Sequence, residues 1–161
     1  MPPMNRREFL ANAGGLGAAL AYWRGGARPL AAPRWREQKA LFPQGVASGD
    51  PSADSVILWT RRPPATGSAN ARQLTVEVAE DRDFAHIAAS GTTRLSADAD
   101  WTCRFLAAGL RPAREYWYRF TDEHGFGSRV GRTLTAPADG DGRPVRFAFV
   151  SCQTIIEGAL N

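Results

Sequence analysis

The sequence predicts an all-β protein, built as a β-sandwich of about seven strands. From Leu41 onward, short runs of β-branched, aromatic and aliphatic residues alternate with clusters of Gly, Pro, Asp and Ser. The runs recur at intervals of roughly 8–15 residues, a spacing that is typical of a sandwich. No segment of this part of the chain has the apolar periodicity of an amphipathic helix.

Seven segments are predicted to form the strands, and alternation of apolar and polar residues predicts their faces. Three sets of alternate residues are each predicted to lie on one face of their strand: Leu74, Val76 and Val78; Trp101, Cys103 and Phe105, which face inward; and Tyr116, Tyr118 and Phe120. Gly91 indicates an edge or a bulge in the fourth segment. In chain order the predicted strands are Phe42–Ser48, Val56–Thr60, Leu74–Ala79, His86–Leu95, Trp101–Phe105, Tyr116–Phe120 and Ser128–Thr135.

One local pattern refines the fold class. Leu110-x-Pro112-x-x-x-Tyr116 resembles the corner before strand F of fibronectin type III domains, where a tyrosine hydroxyl folds back onto the backbone upstream. The alternative is an ordinary loop with a proline before an aromatic strand. Because the strand count agrees with the corner independently, we expect a sandwich of the fibronectin type III or immunoglobulin kind.

A change of composition follows the sandwich. Ala136–Pro144 is rich in Pro, Gly and Asp, as domain linkers are, and Val145–Ser151 is a nearly continuous apolar strand typical of an α/β layer. The predicted divisions are a signal peptide (1–32), a linker (33–40), the sandwich domain (41–137), a second linker (138–144) and the start of a further domain (145–161).

Residues 1–32 resemble a twin-arginine export signal. Arg6 and Arg7 precede Phe9 and Leu10, and the apolar run up to Trp23 is shorter than the about 20 residues of a membrane span. We therefore expect the twin-arginine translocation machinery as a partner, a periplasmic or secreted location, and no stable membrane span. The alternative is an amphipathic N-terminal helix that happens to begin with two arginines.

The net charge of +4 is concentrated in the N-terminal 36 residues. Residues 1–36 contain six arginines and one glutamate, a net charge of +5, so the remaining residues carry a net charge of −1. A near-neutral folded part lacks the basic patch interleaved with aromatic residues that is typical of nucleic-acid binding. The sequence therefore predicts no nucleic-acid partner.

Few side chains are candidates for catalysis or metal binding. His86 and His124 lie in no recognised ligand spacing, so both are interpreted as solvated turn residues. Cys103 is predicted to face the core, whereas Cys152 follows the last apolar strand, at the end where layered α/β folds gather ligands. A Cys103–Cys152 disulfide, a buried inert thiol and a metal-binding thiolate remain equal alternatives on these grounds.

Four stretches, in the same order, resemble the alkaline phosphatase D (PhoD-like) family. Phe42–Arg62 resembles its N-terminal signature, Gly109–Phe120 and Ser128–Pro137 resemble later strands, and Arg146–Gln153 resembles the opening of its metallophosphatase domain. The twin-arginine leader is also typical of the family. The resemblance covers essentially the whole chain and implies a fibronectin-like domain ahead of a large catalytic domain.

The resemblance further implies an exported phosphatase or phosphodiesterase that acts on phosphate monoesters or diesters. In that family the site uses iron and calcium, and the cysteine of the Ser-Cys-Gln motif is an iron ligand, a role that falls here on Cys152. The family's other ligands have no positions in this sequence, and Thr154–Ile156 departs from the residues common after the motif. Metal-assisted in-line attack needs a complete site, so we expect this chain to be inactive alone, truncated just inside its catalytic domain. That catalytic domain is the expected packing partner of the sandwich.

Two alternatives are open at this point. A self-contained secreted binding module of the fibronectin type III kind would end near Pro137, without the apolar strand that begins at Val145. A purple-acid-type phosphatase ranks lower, because its catalytic domain usually opens with a strand that ends in Asp-x-Gly or Asp-x-His. Asp50 is interpreted as a structural turn residue, since no spacing makes it a ligand.

Overall fold

A computed structural model describes residues 34–65, 71–144 and 146 of the chain, all of which belong to one compact unit that spans residues 31–161. These residues contain nine β-strands and two short 3₁₀ helices, Lys39–Leu41 and Ala97–Ala99. The strands are β1 (Arg36–Glu37), β2 (Val46–Gly49), β3 (Ser55–Arg61), β4 (Gln73–Ala79), β5 (Ile87–Arg94), β6 (Thr102–Ala108), β7 (Glu115–Asp122), β8 (Phe126–Gly127) and β9 (Gly131–Leu134).

The strands form two sheets. The smaller sheet has the order β2-β3-β6, and its pairs are antiparallel. In the larger sheet β5 pairs with β4, β4 pairs with β7, and both β8 and β9 pair with β7. The two-residue strand β1 adds to β8 in parallel. The predicted all-β sandwich is therefore confirmed, and seven of the nine strands overlap the seven predicted segments.

The core lies between the two sheets, and two of the three predicted faces are confirmed in full. Leu74, Val76 and Val78 are fully buried in β4, and the exposed fractions of Tyr116, Tyr118 and Phe120 in β7 are 1%, 2% and 0%. Val56 and Leu58 of β3 are fully buried opposite them. Burying an aliphatic or aromatic side chain of this size contributes about 1.5–3 kcal/mol, so these positions provide much of the stability of the sandwich.

The third face is confirmed for Cys103 and Phe105 but is wrong for Trp101. Cys103 is 4% and Phe105 is 7% exposed, whereas Trp101 is only partly buried and precedes the strand. The reason is local, because Asp100 and Trp101 both adopt left-handed backbone conformations, with φ of 50° and 57°. The strand thus begins at Thr102.

Two predicted strands also start too early. The segment from Phe42 to Gly45 forms a turn before β2, with Gly45 at a φ of 69°. The segment from Ser128 to Val130 interrupts the strand that pairs with β7. There the N–H of Phe120 donates to the Ser128 side-chain oxygen (3.0 Å) and Ser128 N–H donates to the Phe120 carbonyl (2.9 Å). A hydrogen bond to a side chain thus replaces one backbone hydrogen bond between the strands, and regular pairing resumes at Gly131.

The predicted tyrosine corner is present before β7. The backbone N–H of Arg111 donates to the hydroxyl of Tyr116 over 2.8 Å, and Leu110 is buried beside it. The N–H of Leu110 in turn donates to the Asp54 carbonyl in the loop between β2 and β3. The corner therefore holds the connection from β6 to β7, which crosses from one sheet to the other, against a neighbouring loop.

Candidate functional site

The residues predicted to act directly lie outside the part of the chain that the structure describes. These are the metal ligand Cys152 and the signal residues Arg6 and Arg7. Among residues 34–65, 71–144 and 146, no group of three or more His, Cys, Asp or Glu side chains is placed to hold a metal ion. Within the same residues, no helix is long and apolar enough to cross a membrane. The metal role of Cys152 stays a prediction.

The cysteine that the structure does describe is part of the core. Cys103 is 4% exposed in β6, and burial raises the pKa of its thiol from an ordinary value of 9.0 to about 11. A thiol with that pKa is protonated at neutral pH, which disfavours both nucleophilic attack and metal binding. The predicted alternative of a pair with Cys152 involves a residue outside the described part.

Both histidines are solvated turn residues, as predicted. His124 is exposed in the hairpin between β7 and β8, and the side chain of His86 is 80% exposed before β5. Nδ1 of His86 lies 3.2 Å from Oδ2 of Asp81, and hydrogen bonds from the backbone N–H groups of Ala85 and His86 help to lower the pKa of that carboxyl. This arrangement closes a surface turn. Asp50 is likewise an exposed turn residue, with a φ of 49°.

The chain leaves the sandwich at an end that several hydrogen bonds hold together, which we call the linker pole. It comprises the loop 50–54, the corner 109–114 and residues 135–136. The N–H of Ala136 donates to the Ser52 carbonyl (2.9 Å), and the N–H of Ala113 donates to the Ala136 carbonyl (2.9 Å). The hydroxyl of Thr135, which is 1% exposed, donates to the Arg111 carbonyl over 2.6 Å. These bonds fix the position from which the linker starts.

A groove of about 330 Å³ opens next to the linker pole, where β2 and β9 lie side by side. Within the described residues β2 pairs with β3 alone and β9 pairs with β7 alone, so the groove lies between two sheet edges. Burial raises the pKa of the nearby Tyr118 hydroxyl to about 12, against a lowering effect of its hydrogen bond with Ser48. The lining residues are Ser48, Gly49, Pro51, Val56, Glu115, Arg132, Thr133 and Leu134.

The groove is suited to binding a partner rather than to proton transfer. Its charged lining residues, Glu115 and Arg132, pair with each other over 3.3 Å; the Arg132 side chain is exposed and that of Glu115 is partly exposed. Such a pair contributes little to stability, and it offers a partner one charge of each sign. Leu134 is 59% exposed beside them.

At the opposite end of the sandwich, residues 34–42 run along the edge of the larger sheet, and we call them the strap. The N–H of Arg36 donates to the Gly125 carbonyl (3.0 Å), and the N–H of Gln38 donates to the Gly127 carbonyl (2.8 Å). Trp35 donates from its indole to the Ser128 carbonyl over 3.2 Å. Most of the strap falls in the segment predicted to be a linker, residues 33–40, but its residues 36–37 form a strand of the sheet.

Arg119 holds the strap against the sheet. Its guanidinium carbon lies 5.2 Å from the centre of the Trp35 ring and 4.0 Å from that of the Phe84 ring. Its Nε donates to Glu77 over 2.7 Å, and both side chains of this ion pair are largely buried. A Cβ on Gly127 would collide with the Trp35 indole, so any larger residue at this position requires the indole to move.

A fully buried ion pair ties the smaller sheet to the hairpin of the larger one at this end. The side chains of Arg62 and Asp122 are both 0% exposed, and two guanidinium nitrogens of Arg62 lie 3.1 and 3.3 Å from Oδ2 of Asp122. The other carboxylate oxygen accepts hydrogen bonds from the backbone N–H groups of His124 and Phe126, each over 2.9 Å. Such extra hydrogen bonds offset the desolvation of the buried charges.

The order of strands defines the class of this protein. A three-stranded sheet of the first, second and fifth long strands faces a sheet of the third, fourth, sixth and seventh, with a tyrosine corner before the sixth. This is a β-sandwich of the fibronectin type III kind. Residues 28–137 match the family described as "PhoD-like phosphatase, N-terminal domain", and the chain belongs to that family.

Two longer relatives agree with this assignment. The chain is 38% identical over 165 aligned residues to alkaline phosphatase D of Bacillus subtilis (strain 168), across 96% of this chain and 28% of the relative. The solved structure of PhoD matches 73% of this chain and 22% of its own length, with 36% identity and a TM-score of 0.59. The matched part is therefore 28% of the length of the first relative and 22% of the length of the second.

Several residues that organise the domain were not singled out from the sequence. Arg62 and Asp122 are 60 positions apart, and only the topology brings them together. The ion pair of Arg119 and Glu77 could have been predicted. Both residues lie at outward positions of predicted strands, and they would pair if the two strands were neighbours. No sequence pattern indicated a structural role for Trp35, because it precedes the first predicted strand.

Proposed function

We propose that this chain is the N-terminal part of an exported phosphatase or phosphodiesterase and that the sandwich itself is not catalytic. The observation that carries the proposal is the family match over residues 28–137, together with the 28% share of alkaline phosphatase D that the chain spans. In support, the described residues hold no group of three or more potential metal ligands, and the thiol of Cys103 is protonated in the core.

In this proposal the parent protein hydrolyses phosphate monoesters or diesters with iron and calcium, as the family resemblance implies. Such ions, when bound, neutralise the phosphate oxygens and activate an oxygen nucleophile for in-line displacement. Cys152 is the proposed iron ligand of this chain, because a thiolate suits a soft or borderline cation. The sandwich contributes none of the described residues to that chemistry, and its role is to pack against the catalytic domain.

Export through the twin-arginine machinery to the periplasm or the exterior belongs to the same proposal. It rests on Arg6 and Arg7 and on the apolar run after them. The strap then has a plain role, because it fastens the chain to the folded sandwich directly after the leader. The strap and the linker pole lie at opposite ends of the strands.

The experiment that tests the proposal measures iron and hydrolysis in the complete protein encoded by the gene. We expect p-nitrophenyl phosphate or bis(p-nitrophenyl) phosphate to be hydrolysed, and we expect Cys152→Ala to lower both bound iron and turnover. Cys103→Ala is the matched control, since it removes the core thiol and should leave iron content unchanged. Equal iron in the wild type and in Cys152→Ala would contradict the ligand role, and absence of ester hydrolysis by the wild type would contradict the phosphatase.

A further inference from the structure

The groove between β2 and β9 has an exposed apolar wall. Leu134 is the more exposed of the two large hydrophobic side chains found at the surface of the described residues, at 59% against 38% for Leu106. A single exposed leucine is ordinary in a folded protein. This one lines a concave surface of about 330 Å³ that also includes Pro51 and Val56.

The groove also exposes backbone. β2 and β9 each pair with one neighbour within the described part of the chain, so each has a second edge without a partner strand there. Proteins usually cover such edges, because unpaired N–H and C=O groups invite association. Gly49, on the β2 wall, has no atom within 4 Å of the place that a Cβ would occupy, so this wall is open to close approach.

The linker begins at this groove. Leu134 is two residues before Ala136, whose N–H and carbonyl are both bonded at the linker pole. The nine residues of Ala136–Pro144 can extend at most about 30 Å. Whatever follows the linker is therefore held within reach of the groove at a high effective concentration.

We propose that the groove is the docking surface for the catalytic part of the longer proteins of this family, which is the polypeptide that follows residue 144. This inference rests on the proposed function and adds to it the surface through which the two parts meet. The occupant presents an apolar side chain to Leu134 and Pro51, and it presents polar groups to the ion pair of Glu115 and Arg132. Docking fixes the angle between the two parts, which a linker rich in Pro, Gly and Asp would leave free.

The test compares two aspartate substitutions in the complete protein encoded by the gene. Leu134→Asp places a charge in the groove. Leu106→Asp places the same charge at the other exposed leucine, on β6 opposite Ile57, which does not line the groove. Gly49→Arg is a second groove variant that fills the opposite wall. Unfolding is followed by calorimetry, and hydrogen exchange is measured for the amides of residues 131–134.

Docking predicts one cooperative unfolding transition for the wild type and for Leu106→Asp. It predicts two transitions, separated by about 5 °C or more, for Leu134→Asp and for Gly49→Arg, because the two parts then unfold independently. The same two groove variants should exchange the amides of residues 131–134 at least about tenfold faster, which corresponds to a loss of about 1.4 kcal/mol of protection.

Three results would overturn the proposal. The first is that both leucine variants change unfolding equally, and the second is that Leu106→Asp alone uncouples the transitions. The third is that Leu134→Asp only converts a dimer to a monomer, which would make a second copy the occupant. Hydrolysis of p-nitrophenyl phosphate by the wild type is scored separately, so loss of the phosphatase proposal and loss of the docking surface give different outcomes.

Discussion

The buried pair of Arg62 and Asp122 gives the sharpest prediction about stability. Asp122→Asn keeps the shape of the side chain and one oxygen for the N–H groups of His124 and Phe126, but it places an amide donor opposite two guanidinium donors. Both side chains are 0% exposed. Arg62 would therefore keep its buried positive charge, while residue 122 would no longer carry the opposite charge. Breaking a buried pair in this way costs about 3–5 kcal/mol, which is a large share of the about 5–15 kcal/mol that stabilises a domain.

Asp100→Asn is the matched control for this prediction. Asp100 accepts hydrogen bonds from Arg61 over 2.9 and 3.1 Å, but its side chain is 74% exposed. Its φ of 50° is one that asparagine readily adopts, so the substitution adds no backbone strain. Solvent screens this pair, and we expect a free energy of unfolding close to that of the wild type.

Urea unfolding of the chain, followed by far-ultraviolet circular dichroism, measures both variants. The reasoning predicts a much lower midpoint with an unchanged slope for Asp122→Asn and nearly no shift for Asp100→Asn. Equal shifts in the two variants would refute it, since burial is the property that separates the two pairs. A wild-type midpoint for Asp122→Asn would show that the hairpin is held without the charge.

Three further predictions concern single contacts. Tyr116→Phe removes the acceptor of the Arg111 N–H and should lower the free energy of unfolding by about 1–3 kcal/mol in a urea titration, and an unchanged midpoint would mean that the corner adds no stability. Gly127→Ala should displace Trp35 and shift the tryptophan fluorescence, whereas Gly49→Ala, which has open space around it, should change neither fluorescence nor stability. Cys103, in a Cys152→Ser background, should resist thiol reagents at pH 8 until urea unfolds the chain. Because its pKa is raised from 9.0 to about 11, its contribution to stability is complete below pH 9 and declines as the pH rises toward 11.

The regular strands could be predicted from sequence because their faces alternate. In β4 and β7 every second residue is a large apolar or aromatic one, and burial of that face requires a strand. The corner at Tyr116 was predictable for a related reason, since its proline and tyrosine lie at fixed positions along a single short segment. Both signals are local, and the structure confirms both.

The strap and the short strand β8 were missed because they have no local signal. Residues 36–37 form a strand only because the hairpin after β7 offers an edge with which they pair in parallel. The glycines at 125 and 127 serve this contact, since a side chain at either one would meet Arg34 or Trp35. From sequence alone, these glycines indicate only a turn. Trp101 was misplaced for a different, local reason, because Asp100 and Trp101 both adopt left-handed backbone conformations that delay the start of the strand.

The proposed metal ligand could be predicted only by resemblance. Composition and spacing left Cys152 as one of three alternatives, and its surroundings lie outside the described residues. What the structure adds is a division of roles within the sandwich. One end fastens the strap with Trp35 and Arg119, and the other end holds the start of the linker beside an open groove.

Ester hydrolysis by this chain is the most direct test of the central claim, which is that the sandwich belongs to a phosphatase but does not carry its active site. The chain is purified from residue 33 to residue 161 and assayed with p-nitrophenyl phosphate and bis(p-nitrophenyl) phosphate in the presence of iron and calcium. The account predicts no turnover above that of the metal ions alone, while the complete protein hydrolyses at least one of the two esters. Turnover by the chain that is lost in Cys152→Ala would contradict it.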